Sequence, residues 1–250
     1  SETLIRIWLI IRVPVLLVLP APLHAWVGQT RLGRNSRVRL LVLGACGQQG
    51  VPPNVPQDAV ARCSLLSLPH CLDVPDPFAW QADMAGQLQY ECQLDERKPG
   101  LPGVGGRVFR LGLCWAGSGR FQFDRRRSLN PALLAPLAGI GGVRVQALQP
   151  TSGHSPAPFA VETLPEGDVL ATARLMVGLD LVVSVDTMIV HLAGLLGVPA
   201  VLLDRYGGDW RWADASVTPD GDVPPPSRWY PRVPIIRQSP PGVGGTPRPG

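Results

Sequence analysis

The stretch VVSVDTMIVHLAGLLGVPAVLLD, from Val182 to Asp204, decides how the chain is read. With Leu181 it opens as LVVSV, a continuous apolar run of strand length. A short polar interruption follows, then a helix, a Gly stop and a second apolar strand. A strand–helix–strand unit whose strands are apolar on both faces belongs to a buried parallel sheet. Against that background Asp186, Thr187 and His191 stand where apolar packing is expected. In a parallel sheet, ligands bind beyond the carboxyl ends of the strands. Asp186 and Thr187 follow their strand directly, so the next helix turns its unpaired N–H groups and positive dipole end toward whatever lies there. A phosphate suits that position. Thr187 brings a hydroxyl, Met188 a backbone amide at the helix tip, and His191 an imidazole one turn further on the same face. The competing reading is that Asp186 caps the helix and His191 is an ordinary half-buried histidine. The pattern alone leaves the two even.

Working outward, GDVLATARLMVGLD reads as a helix capped by Asp168, and VRVQALQ as a strand that ends on Gln149. NPALLAPLAGI reads as a helix with Asn130 or Ser128 as cap and a Pro at an early position. VFRLGLCWAG is a strand running into a turn of small residues. Strands and helices alternating in this order predict a parallel sheet with helices on both faces. A second anion-facing arrangement follows that first strand: Trp115-Ala116-Gly117-Ser118, then Asp124-Arg125-Arg126-Arg127-Ser128. Small residues let the backbone approach a ligand, and an Arg offers a planar fork to phosphate oxygens. A surface Arg run is otherwise a solvated face. Gln149 lies where base or ribose contacts are made, or is a loop residue. In DWRW, Trp210 and Arg211 suit sugar or base stacking, and Trp212 suits the cleft wall.

The first part of the chain is less regular. VPVLLVL (Val13–Leu19) and RVRLLVLG (Arg37–Gly44) read as strands, with a Pro-opened helix in APLHAWV between them. The apolar opening Leu4–Leu19 is broken by Arg6, Arg12 and Pro14, so no uncharged run of about 18 residues survives to cross a membrane. After Gly50 come short, Pro-punctuated pieces. Asp95–Gly106, charged and then Gly/Pro-rich, is the best linker candidate. Its GVGG has no strand before it and is no dinucleotide fingerprint. The expected division is therefore a first lobe over 1–98, a linker over 99–106, a second lobe over 107–238 and a flexible tail over 239–250.

Composition narrows the function. At 45% hydrophobic and 17% charged residues the chain belongs to a folded class. A net charge of +4, scattered rather than gathered into a stripe, argues against nucleic acid and leaves small anionic ligands open. Five cysteines without a C-x-x-C pair suggest a reducing, cytoplasmic setting. No His/Cys cluster has metal-ligand spacing, so no metal site is read from the residues, and no cofactor motif is either. His24, His70 and His154 stand in loop or Pro-rich contexts and read as structural.

SVDTMIVHLAGLLGVPAVLL resembles the S-V-D-T-x-x-x-H-L-A-G-x-L-G-x-P segment of bacterial glycosyltransferases often attached to tetratricopeptide repeats, which are related in fold to the lipopolysaccharide heptosyltransferases. LGLCWAGSGRFQFDRRRSLNPALLAPL resembles the family's W-A-G block with its D-R-x-R-S end, so Arg125 and Arg127 match its two arginines and Ser128 its serine. CSLLSLPHCLDVPDPFAWQAD, DWRW and RWYPRVPIIRQ resemble three further blocks, in the family's order. The resemblance implies a GT-B architecture, two Rossmann-like lobes across a cleft, with a nucleotide-sugar donor held mostly by the second. It implies metal-independent, inverting transfer of a sugar from a nucleotide diphosphate to an acceptor hydroxyl on a glycan or protein. Gly117, Ser118, Arg125, Arg127, Ser128, Gln149, Asp186, Thr187, Met188 and His191 would then meet the donor.

Three departures bear on activity. Relatives open with a strand and a Gly-Asp-Thr-Leu turn whose Asp is, in some members, the base that activates the acceptor hydroxyl. Here the sequence starts Ser1-Glu2-Thr3-Leu4, which leaves the first lobe without its first strand and puts Glu2 in the base's place. The family's His in the W-A-G block falls on Phe121, and its C-terminal helix on the Gly/Pro tail. The alternative function is accordingly a degenerate, catalytically weak or inactive relative that still binds a nucleotide-sugar.

Overall fold

A computed structural model describes residues 15–19, 24–25, 27–28, 34, 36–42, 108–117, 124–150, 155–163, 169–212, 227, 229–230 and 232–239. The chain divides into two units, Ser1–Met84 with Gly167–Leu170, and Ala85–Glu166 with Ala171–Gly250. The linker expected over 99–106, the Asp168 cap and the tail after Ser239 lie outside the described residues.

In the first unit β1 (Val15–Leu19) and β2 (Val38–Val42) pair in parallel, Val15 opposite Val38 and Leu19 opposite Val42. Both strands fall within the apolar runs that announced them. Parallel neighbours need a crossover, and one helical turn lies between them, its Gly28 N–H donating to the His24 carbonyl at 3.0 Å.

The second unit is built on five parallel strands in the order β4-β3-β5-β6-β7: β3 (Phe109–Cys114), β4 (Val143–Ala147), β5 (Leu181–Val185), β6 (Ala200–Asp204) and β7 (Ile235–Arg237). Period-2 alternation gives the sheet two buried faces. Leu111, Leu113, Trp115, Val145 and Ala147 point to one side, where Leu134, Leu137, Phe159 and Val161 cover them. From the neighbouring positions Val182, Ser184 and Leu202 are fully buried. Past β4, Glu162 continues the sheet: its N–H donates to the Val145 carbonyl at 2.9 Å and its carbonyl accepts from Ala147 at 2.8 Å.

Among the described residues of the sequence after 123, the α-helices are α1 (Asp124–Arg127), α2 (Val169–Val177) and α3 (Met188–Leu196). Residues Pro131–Gly139, expected as an ordinary helix, form a 3-10 helix instead. Pro136 removes one N–H, and its ring would strike the carbonyl four residues earlier in α geometry. Asn130 rather than Ser128 is its cap, accepting from the Ala132 N–H at 3.0 Å. α3 ends as its sequence foretells, with Gly197 in the left-handed region (φ 67°) and its N–H returned to the last turn. Its cap is Thr187, whose hydroxyl accepts from the Ile189 N–H at 3.3 Å. Asp186 is therefore free of the capping role that competed with a ligand role.

Strand order creates a switch point. From β3 the chain goes first to β4 on one side and later to β5 on the other. The loops leaving the carboxyl ends of β3 and β5 thus part in opposite directions and open a crevice, the switch point where ligands bind in open parallel sheets. The loop after β3 is Trp115-Ala116-Gly117, and the turn after β5 is Asp186-Thr187.

Candidate functional site at the carboxyl edge of the sheet

The ends of β3, β4 and β5 carry residues singled out in the sequence, and hydrogen bonds tie them together. At the end of β4, the buried Gln149 turns its amide oxygen onto two backbone donors, the Trp115 N–H at 2.7 Å and the Ala116 N–H at 2.8 Å. The next amide, Gly117 N–H, donates to the Ser128 hydroxyl at 3.1 Å. All three loop N–H groups are therefore satisfied within the protein. The small residues there admit a side chain rather than an anion: a Cβ on Gly117 would meet the Arg127 guanidinium and the Asp124 carboxylate.

Asp124 opens α1 and gathers its last residues, accepting from Arg127 Nε at 2.9 Å and from the Ser128 hydroxyl at 2.8 Å. Arg127 then reaches across the crevice and donates through Nη1 to the Asp186 carbonyl at 2.9 Å. One guanidinium thereby links the loop after β3 to the turn after β5. Its side chain stays 20% exposed.

At that turn the Thr187 hydroxyl, besides capping α3, lies 3.4 Å from Cys114 Sγ and 3.3 Å from Ser184 Oγ. Burial pushes the Cys114 thiol above its ordinary value, the hydroxyls opposing only in part, so it stays protonated and unreactive. Met188, the first residue of α3, is exposed. The cap takes the Ile189 N–H, and among the described residues no partner is seen for the Met188 N–H beside it.

Asp186 turns its carboxylate to His191, Oδ1 to Nε2 at 3.7 Å. Burial alone would raise this carboxyl; His191 first, with Arg211 behind it, outweighs that and holds it below the usual carboxylate range. The imidazole lies on the Trp212 ring, centroids 5.1 Å apart at 24°, and its Nδ1 is 3.0 Å from the Tyr230 hydroxyl. Burial pushes the Tyr230 phenol up to about 12, against the pull of Arg211. Arg211 is held by Asp209, Nε to Oδ1 at 2.9 Å and Nη2 to Oδ2 at 3.1 Å.

The last two strand ends fix the Trp-rich turn. The Asp204 carboxylate, at the end of β6, accepts from Arg237 Nε at 2.9 Å, and Arg237 Nη2 donates to the Trp212 carbonyl. Burial raises the Asp204 carboxyl; Arg237 lowers it without cancelling that effect. Three buried side-chain atoms have no hydrogen-bond partner among the described residues: Gln149 Nε2, Asp204 Oδ1 and Trp212 Nε1. All three belong to this edge. An open groove of about 590 Å³ at the opposite end of the sheet, lined by Val108, Gly142, Arg144 and Glu162 among others, holds none of the residues singled out in the sequence.

The structure thus brings Gly117, Arg127, Ser128, Gln149, Asp186, Thr187, Met188, His191 and Arg211 to one edge. Glu2, Ser118 and Phe121 lie outside the described residues, as do the side chains of Arg125 and Trp210. Sequence reasoning gave no role to Asp124, Tyr230, Asp204 or Arg237. Asp124 was within reach, since an acid three residues before an Arg on a helix pairs with it. Tyr230 and Arg237 sat unassigned inside the quoted RWYPRVPIIRQ block.

Fold and site together define a mixed α/β protein with parallel sheets and a polar carboxyl edge at a switch point. No protein-family model matches the chain, and no curated protein matches it. Among solved structures it is similar to the E. coli heptosyltransferase WaaC with ADP, at 18% identity and a TM-score of 0.33, over 55% of this chain and 40% of that one. The chain thus spans less than half the length of that enzyme.

Proposed function

We propose that this chain binds a nucleotide-diphosphate-sugar at the carboxyl edge of β3–β7 and belongs to a metal-independent, inverting GT-B glycosyltransferase that passes the sugar to an acceptor hydroxyl. The two GT-B lobes would be 1–98 and 107–238, joined over 99–106. One observation carries the reading. Residues of four separate sequence blocks, those that carry the family resemblance, converge on the carboxyl ends of one parallel sheet around its switch point. The diphosphate would lie against the Met188 amide and the positive end of α3, with Arg127 and His191 supplying charge and donors. Gln149 would lie toward the base side, and Ser128 and Arg211 at the rim; Ser118, Arg125 and Trp210 are the further donor candidates the resemblance offers. Electrostatic support of the departing diphosphate is the contribution this edge makes; the base that activates the acceptor would come from elsewhere, Glu2 being the residue the resemblance offers. The second reading, a nucleotide-sugar-binding relative without turnover, is favoured by Phe121 standing at a family histidine.

Melting shifts with UDP, GDP, ADP and their sugars test the binding. A saturating ligand raises stability by about 2.7 kcal/mol at a hundred times its Kd. Two variants locate it. Arg127→Ala is expected to weaken diphosphate binding by about 1–3 kcal/mol, the scale of a charge-assisted hydrogen bond. His191→Phe keeps the ring on Trp212 and removes both nitrogens, so it should weaken diphosphate binding by a similar amount while free-nucleoside binding holds. Unchanged diphosphate affinity in both variants, measured by calorimetry, would remove the donor site from this edge. Sugar release from a donor that binds, or its absence, then separates the enzyme from the non-catalytic relative.

A further inference from the structure

His191 has two ring nitrogens and two polar neighbours, and the neighbours differ in kind. Nε2 faces the Asp186 carboxylate, which is an acceptor only. Nδ1 faces the Tyr230 hydroxyl at 3.0 Å, which can donate or accept. The ring plane is fixed by the Trp212 stack and by the edge of Tyr230, whose centroid is 5.7 Å away at 67°. Tyr230 is itself held on α3 because residue 194 is a glycine: a Cβ there would enter the tyrosine ring. Tyr230 is 8% exposed and Trp212 1%, so the wall that fixes the imidazole is part of the core.

We propose that Tyr230 is the positioning residue of His191: its hydroxyl engages Nδ1, so that Nε2 carries a proton and points it toward the turn before α3. The logic holds for both charge states. When the imidazole is neutral, the phenol donates to the Nδ1 lone pair, and the single ring proton sits on Nε2 beside Asp186. When it is protonated, Nδ1–H donates to the phenol oxygen and Nε2–H is unchanged. A hydroxyl therefore keeps one donor aimed at the same place in either state. The phenol stays neutral throughout, since burial raises it to about 12. The consequence for ligand binding rests on the reading of His191 as a diphosphate donor; the consequence for the ring itself does not.

The test uses the full chain labelled with ¹⁵N-histidine. Its four histidines are separated by the signal that His191→Phe removes. At a pH where the imidazole is neutral, the wild-type His191 Nε2 should show the shift of a protonated nitrogen and Nδ1 that of a hydrogen-bonded acceptor. Tyr230→Phe keeps the ring and its packing, so it should fold; Nδ1 should move to the unbonded value. UDP, GDP or ADP, whichever binds the wild type, should bind this variant about 3- to 10-fold more weakly, the worth of one net hydrogen bond. The corresponding nucleoside should bind equally well. Gly194→Ala keeps the hydroxyl but displaces the ring and should shift the same signals. Identical His191 ring signals in wild type and Tyr230→Phe, or a proton on Nδ1 of the neutral wild-type ring, would overturn the proposal. If none of the three diphosphates binds the wild type, the donor-site reading fails while the ring signals still decide the role of Tyr230.

Discussion

Arg237→Ala is expected to destabilise the second unit by about 3–5 kcal/mol, because it strands a buried carboxylate. The Asp204 side chain is 0% exposed and its charged partner on the adjacent strand is Arg237, at 2.9 Å. The same arginine holds the Trp212 carbonyl, so the Trp-rich turn loses its anchor in the same step. The pH dependence gives the effect a signature. Asp204 is raised above its ordinary value even with Arg237 present, and without it rises further. An acid raised in the folded state binds its proton more tightly there than when unfolded. Stability in the variant therefore falls as pH climbs from the unfolded value to the folded one, and recovers in the other direction as Asp204 neutralises. Denaturant unfolding should show a smaller deficit at pH 5 than at pH 8. A deficit under about 1 kcal/mol, or one equal at both pH values, would show that the pair is not a buried charge held by its partner.

Gln149→Leu should cost about 2–5 kcal/mol. Leucine fills nearly the same volume in a site that is 4% exposed, so packing is not the cause. Two backbone donors, Trp115 N–H and Ala116 N–H, lose their shared acceptor, and each stranded N–H costs about 1–3 kcal/mol. Removing the unpartnered Nε2 offsets part of this. Hydrogen exchange should quicken at those two amides before it does so elsewhere in β3. Gln149→Glu keeps an acceptor and should lose less than Gln149→Leu. If leucine is tolerated with no change in exchange, the amide oxygen is not what holds the loop.

What was legible in the sequence follows from the kind of signal. β5 and β6 were marked by continuous apolar runs bounded by turn residues, because a parallel strand buried on both faces has little room for anything else; β3 and β4 were read as strands although each carries an exposed arginine, Arg110 and Arg144. β7 is a three-residue strand and leaves no periodicity to read. The Pro131–Gly139 segment had the composition of an α-helix, and Pro136 decided its geometry. At the edge, Asp186, Thr187 and His191 were visible as polar residues in an apolar unit. Their partners were not. Tyr230 meets His191 across 39 positions and Arg237 meets Asp204 across 33, separations at which nothing local in the sequence reports a contact. Arg127 and Gly117 were legible as a basic residue and a small one. That the glycine makes room for the arginine follows only from the way α1 folds back over the loop.

The two margins of the five-stranded sheet have a bearing on assembly. A margin with unpaired N–H and C=O groups is a template for another chain, and proteins that stay separate blunt it. Along β4 the backbone of Glu162 takes up the Val145 carbonyl and the Ala147 N–H. On the far side β7 is only three residues long and follows Pro234, which has no N–H to offer. Among the described residues, one margin is thus partly taken up and the other is short. Self-association of this unit by sheet extension, the route by which exposed margins seed fibres, is therefore disfavoured by construction.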